Sequence, residues 1–214
     1  MKENDVILKR QSTQIFFKNG DTDFFFNWLL GIGEIFGFSH GELYYLAQRL
    51  GNSPKPDDWK NVFLSHVNYL EQEASNSGLS EQTKAQYYLA QTYSLRSAIQ
   101  FTDPFSEEYL PTVRQMEKVF SSAIHSLGAP IEKLTIPYQG SYLPGYYLHS
   151  DDNCPTIIMI GGGDTYREDL FYFAGYPGWI RNYNVLMVDL PGQGSNPSRG
   201  LVFDVDASIP ISLC

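Results

Sequence analysis

Three glycine-framed segments of this 214-residue chain hold residue types at spacings that can do chemistry: Gly37–Gly41 (GFSHG), Gly161–Asp164 (GGGD) and Pro191–Gly194 (PGQG). The first matches Gly-x-Ser-x-Gly, the pattern of a nucleophile elbow, in which a serine sits on a strained turn between a strand and a helix. Its surroundings do not supply that turn, because the preceding FFFNWLLGIGEIF is helical in pattern. Ser39 followed by Glu42 reads instead as a capping box opening a helix over Glu42–Leu50, with His40 a surface residue at its start.

The GGGD loop follows TIIMI at Thr156–Ile160, and PGQG follows NVLMVDL at Asn184–Leu190. Continuous apolar runs rich in Ile and Val read as strands of a parallel sheet covered on both faces. Glycines at the carboxyl ends of such strands let the backbone approach a ligand. On local grounds GGGD is either an oxyanion hole, with Gly163 the best N–H donor, or a tight strand-to-helix turn. A phosphate cradle would need G-x-G-x-x-G, and Tyr166 stands where the third glycine belongs; PGQG fails the same test at Pro197. Asp189 reads as a polar anchor at a strand end, with a contact to substrate as the other reading. His66, His125 and His149 lack metal-ligand spacing and read as surface or hydrogen-bonded core residues.

The elements around these loops fall into two grammars. Residues 20–127 are helical in period. In Asp58–Glu73, Trp59, Val62, Phe63, His66, Val67 and Leu70 recur at spacings of three and four. Ser80 is an N-cap for Glu81–Phe101, with Ala85, Tyr88, Leu89, Thr92, Leu95 and Ile99 on one stripe. A last helix over Ser106–Leu127 ends at Gly128–Ala129–Pro130. After Pro130 the period becomes two. Lys133–Tyr138 and Ser141–His149, split by Gln139–Gly140, predict an edge hairpin, with Pro137 and Pro144 at edge or bulge positions. Strand, helix (Arg167–Asn182) and strand follow, which predicts a mixed sheet. The boundary near Gly128–Ile131 divides the chain into 1–129, helical, and 130–214, sheet-forming.

The chain's net charge of -9 argues against a nucleic-acid or anionic-membrane surface, since both need clustered Lys and Arg. Its hydrophobic content of 43% is enough for a large core. Met1–Phe17 carries no apolar leader core, and with only Cys154 and Cys214 present a reduced, cytoplasmic setting is expected. Phe24–Phe38 holds Asn27 and Glu34 in its interior, so it reads as a buried helix and not a membrane span.

Taken together, FFFNWLLGIGEIFGFSHGELYYLA, IEKLTIPYQGSYLPGYYLH, CPTIIMIGGGDTYREDLFYF and NVLMVDLPGQGSNPSRGLVF resemble the α/β-hydrolases with a helical N-terminal domain. That group includes the FrsA-like esterases and the pigment and pseudooxynicotine carbon–carbon hydrolases. The resemblance implies an α/β fold, with a helical cap domain (1–129) preceding the first strands of an incomplete hydrolase sheet (130–214). It implies an oxyanion hole at Gly163 with Asp164 adjacent, and Gly162, Gly163 and Asp164 touching a small-molecule substrate. It further implies hydrolysis of an ester or an activated C–C bond, no metal or organic cofactor, and a homodimer through the helical domain. The family's Ser, Asp and His follow the D-x-PGQG loop. None of the three is then present in these residues, and the piece is expected to be catalytically inactive, a fragment that leaves Thr156–Ile160 with an open edge. The alternative is a non-catalytic dimerisation or binding module in which the helical half does the work.

Overall fold

The computed structural model of the chain describes residues 14–36 and 38–214, leaving aside the side chains of residues 33–36. Gly37 and most of Met1–Phe17 therefore lie outside the described residues, and so does the reading of that segment as lacking a leader.

Five helices come first: α1 (Gly20–Phe36), α2 (His40–Leu50), α3 (Pro56–Ala74), α4 (Glu81–Ala98) and α5 (Tyr109–Leu127). Their starts follow local chemistry. Asn19 Oδ1 accepts from the N–H groups of Asp21 and Thr22 at the head of α1. The buried Asp23 carboxylate gathers the N–H groups of Ile15, Phe16 and Phe17 at 2.7–2.9 Å. Burial pushes its carboxyl up, but those three donors outweigh it and hold Asp23 below the usual range. Ser39 caps α2 by accepting from Glu42 N–H. The capping box is only half made, because the Glu42 carboxylate turns away to His66 Nε2 at 2.9 Å.

Helix α4 is buried on every side from Leu89 to Ala98, a wider burial than one apolar stripe predicts. Small hydroxyl residues make this tolerable. Thr92, Ser94 and Ser97 each donate to the carbonyl four residues back, so no hydroxyl is buried unpaired. Packed between α3 and α5, α4 is the axis of the helical region.

Gly128, at φ +67, ends α5, and Ile131 opens the sheet. Strands β1 (Ile131–Tyr138) and β2 (Ser141–Leu148) form an antiparallel hairpin turned at Gln139 and Gly140, both at positive φ. β3 (Thr156–Ile160) and β4 (Asn184–Val188) run parallel, and the sheet order is β1-β2-β4-β3. The hairpin therefore contributes one edge strand, β1, while β2 lies inside the sheet. Pro144 survives there because its carbonyl accepts from Asp189 N–H just past the last β2–β4 pair, Gly145↔Val188. Its nitrogen faces that spent end of the ladder, where no donor is needed.

Every residue of β4 is buried. β3, expected to be covered on both faces, is half exposed, with Ile158 at 47%. The reason is its place in the order: β3 is the outer strand, and nothing among the described residues pairs beyond it.

The connection from β3 to β4 winds through α6 (Arg167–Leu170), a π turn (Phe171–Gly175) and α7 (Tyr176–Trp179). Glycine lets this segment lie close on the sheet: a Cβ on Gly175 would meet Met187 Sδ at 2.7 Å, and one on Gly178 would meet Val185 Cγ2 at 2.6 Å. One apolar cluster runs from Trp59, Phe63 and Tyr93 through Phe120 to Tyr146, Phe171 and Met187, so helices and sheet share a core. A short α8 (Ser208–Ser212) closes the chain. No helix among the described residues is long and apolar enough to cross a membrane.

Candidate active site at the glycine-rich loops

The GGGD and PGQG loops leave the carboxyl ends of β3 and β4, adjacent parallel strands, and so lie side by side. In the first, Gly161 leaves room for Thr165, whose Cβ would stand 2.5 Å from a Cβ on Gly161. The Thr165 hydroxyl then accepts from Gly162 N–H at 3.1 Å. The N–H groups of Gly163 and Asp164 donate to no acceptor among the described residues, and both residues are exposed. Of the three predicted contact residues, Gly162 thus has its N–H committed, while Gly163 and Asp164 present theirs to the cleft.

The carbonyls of this loop are tied down. The buried Gln193 amide donates to Gly161 O at 2.8 Å and to Gly162 O at 2.7 Å, while its own oxygen accepts from Leu190 N–H at 2.7 Å. The side chain of one loop thereby straps the backbone of the other. Asp164 O accepts from Arg96 Nη2 at 2.5 Å.

Arg96 and Tyr109 bring the helical region into the site. The buried guanidinium of Arg96, on α4, pairs with Asp169 at 3.1 Å and lies 4.4 Å from the Tyr166 ring centre. Tyr109, on α5, donates to Gly194 O at 2.8 Å and accepts a hydrogen bond from Tyr166 OH at 2.7 Å. Burial pushes both phenols up, so they stay protonated near neutrality.

Asp189 is an anchor, as its strand-end position suggested. Its two oxygens accept from Arg167 N–H at 2.7 Å and Arg167 Nη1 at 3.0 Å. Burial pushes its carboxyl up to about 8, against the pull of Arg167. Gly194, at φ +53, is dictated by this contact, since a Cβ there would stand 2.2 Å from Asp189 Oδ2. Asn196 completes the loop by donating to the carbonyls of Asp189 and Leu190.

A cleft of about 150 Å³ opens over Gly163, Asp164, Tyr109 and Phe203. Sharing Arg96, Gln100, Asp164 and Thr165 with it is a cavity of about 420 Å³ lined by Phe24, Phe25, Trp28 and Phe101 together with Asp21 and Asp169. The arrangement suits a polar reacting group at the loop with an apolar body beside it. No histidine lines either space. His66 is occupied between Ser94 and Glu42, and His40 rests on Leu30 O. Among the described residues no cluster of metal ligands occurs.

Gln193, Arg96 and Tyr109 were not found by motif reading. Arg96 had a usable signal, being the one cation in the run Tyr87–Phe101. Gln193 had none, since its role exists only once the two loops are adjacent.

No family model matches the chain. Among curated proteins it is similar to "Hydrolase LUC6" of Fusarium sp, 26% identical over 185 residues, covering 79% of this chain and 44% of that one. It is likewise similar to "Hydrolyase poxO" of Penicillium oxalicum, 27% identical over 189 residues, covering 84% and 45%. Among solved structures, the 2,6-dihydroxy-pseudo-oxynicotine hydrolase aligns with a TM-score of 0.59 at 20% identity, over 77% of this chain and 45% of its own. Wild-type AbyA5 aligns with a TM-score of 0.64 at 17% identity, over 91% and 50%. The chain thus spans about half the length of the relatives it matches.

Proposed function

We propose that this chain, which belongs to the α/β-hydrolase group, supplies the oxyanion-binding part of a serine-nucleophile hydrolase acting on an ester or an activated C–C bond. The observation that carries the proposal is the pair of unpartnered N–H groups at Gly163 and Asp164, at the carboxyl end of β3, above carbonyls strapped by Gln193 and Arg96.

In this reading a serine outside these 214 residues attacks the substrate carbonyl, and negative charge collects on the carbonyl oxygen. Gly163 N–H, and Asp164 N–H beside it, stabilise that charge without reorganising, since their loop is already fixed. Collapse of the intermediate expels an alkoxide or a stabilised carbanion, and water then releases the acyl group. The aromatic cavity of Phe24, Phe25, Trp28 and Phe101 holds the substrate's apolar body, with residues 1–129 acting as its cap. The 214 residues alone have no nucleophile and should not turn over an ester.

The test is to sequence the coding DNA beyond codon 214 and assay the encoded product on p-nitrophenyl esters. An open frame carrying Gly-x-Ser-x-Gly, with ester hydrolysis lost on replacing that serine, supports the reading. A stop codon directly after Cys214 overturns it.

A further inference from the structure

A second pocket, of about 230 Å³, lies between α5, the β1–β2 hairpin and the turn Pro197–Arg199. Four cations line it, Arg114, Lys133, Arg167 and Arg199, against a single acid, Glu117. This is unusual in a chain carrying -9 overall. Arg167 is committed to Glu117, Glu168 and Asp189. The other three make no ion pair among the described residues. Arg199 instead donates to Ser195 Oγ at 2.9 Å through Nη1 and to Asn196 Oδ1 through Nη2, and lies 4.2 Å from the Tyr142 ring centre.

Two further observations point the same way. Among the described residues, three buried side-chain polar atoms lack a hydrogen-bond partner; one of them, Arg199 Nε, belongs to this pocket with no acid beside it, while Arg167 Nε stands 3.4 Å from the Glu168 carboxylate. Unsatisfied buried donors are rare and call for an explanation such as a bound ion. Lys133 stands directly opposite Tyr146 in the hairpin register, so the two side chains share a face, and Arg167 lies 4.7 Å from the Tyr146 ring centre. Lys133 and Arg167 thus line the same pocket from the Tyr146 side of the sheet. Ser195 Oγ, already accepting from Arg199, keeps its proton to donate.

We propose that this pocket binds a compact oxyanion, the phosphate or carboxylate group of a small molecule. Convergent guanidinium and ammonium donors recognise that chemistry through charge-assisted hydrogen bonds. The site is separate from the glycine-loop cleft and needs no hydrolytic activity. It is therefore tested on the 214-residue chain by calorimetric titration with inorganic phosphate, and separately with acetate, at low ionic strength.

Saturable binding of either anion is expected, weakening with added salt. Arg199→Gln should weaken it at least tenfold. The exposed Lys133→Gln should weaken it severalfold without disturbing the fold, while Lys84→Gln, paired with Glu81 on α4, should leave it unchanged. Saturation by phosphate alone marks a phosphoryl-bearing ligand, and saturation by acetate alone marks a carboxylate. Failure of both anions to saturate, or binding that Lys133→Gln and Arg199→Gln leave untouched, overturns the proposal.

Discussion

The two glycine-rich loops are alike in composition and opposite in use. In PGQG, Gly192 and Gly194 sit at φ +87 and +53, and a side chain on either would collide, with Phe203 and with Asp189 respectively. Its backbone groups are engaged by Leu201, Leu190 and Tyr109. In GGGD, Gly163 has no heavy atom within 3.9 Å of a would-be Cβ, and its N–H is unclaimed. Glycine in the β4 loop answers the protein's own crowding. Glycine at position 163 keeps space clear for something else. One loop is scaffold and the other is surface, and Gln193 is the join between them.

The comparison breaks most visibly at Gly194. Gly194→Ala strains a positive φ and drives a methyl into the Arg167–Asp189 pair, so denaturant melts should show a loss of about 3–5 kcal/mol, the cost of breaking a buried pair. Gly163→Ala, whose Cβ would meet only Phe203 at an ordinary 3.9 Å, should lose less than about 0.5 kcal/mol. Equal losses would abolish the distinction. In the full gene product, Gly163→Pro removes the N–H and should lower kcat for ester hydrolysis by about 10²–10³, with Gly163→Ala as the N–H-retaining control. If Gly163→Pro keeps wild-type kcat, that N–H is no oxyanion donor.

Gln193→Leu should cost about 1–3 kcal/mol by stranding the buried Leu190 N–H. It should also speed hydrogen exchange across residues 161–164, whereas a rigid loop in that variant would deny Gln193 its role as strap. A further effect is with pH. Burial raises the Asp189 carboxyl to about 8 from an unfolded value near 4, so the folded state binds more protons than the unfolded between those limits. Stability should therefore fall as pH rises from about 4 to 8, by up to about 1.4 kcal/mol per unit for one proton. Asp189→Asn should flatten that slope, and an unchanged slope would assign it to Glu168 and Asp169, which the same burial pushes up.

Local patterns in the sequence carried the elements well, because period and capping are local properties. Ser39, Ser80, Gly128 and the Gln139–Gly140 turn all stand where residue chemistry placed them. The exposure of β3 was harder, since composition records how apolar a strand is and not whether a neighbour covers it. At the site, Gly163 and Asp164 were legible as glycine-loop positions at a strand end. The groups that fix them were not. Arg96 and Asp164 are 68 residues apart, Tyr109 and Gly194 are 85 apart, and no periodicity encodes such meetings.

Arg96 also ties recognition to architecture. It rises from the stretch of α4 that is buried on every side, and its guanidinium holds the peptide carbonyl that follows the two N–H groups with no acceptor among the described residues. Any guest that settles on those N–H groups leans on a loop moored to α4, so occupancy of the cleft and tightness of the helical packing are linked, each strengthening the other to the same degree. The interior of the helical region becomes a reporter of what the loop holds, and its slowest-exchanging amides should slow further whenever the cleft is filled.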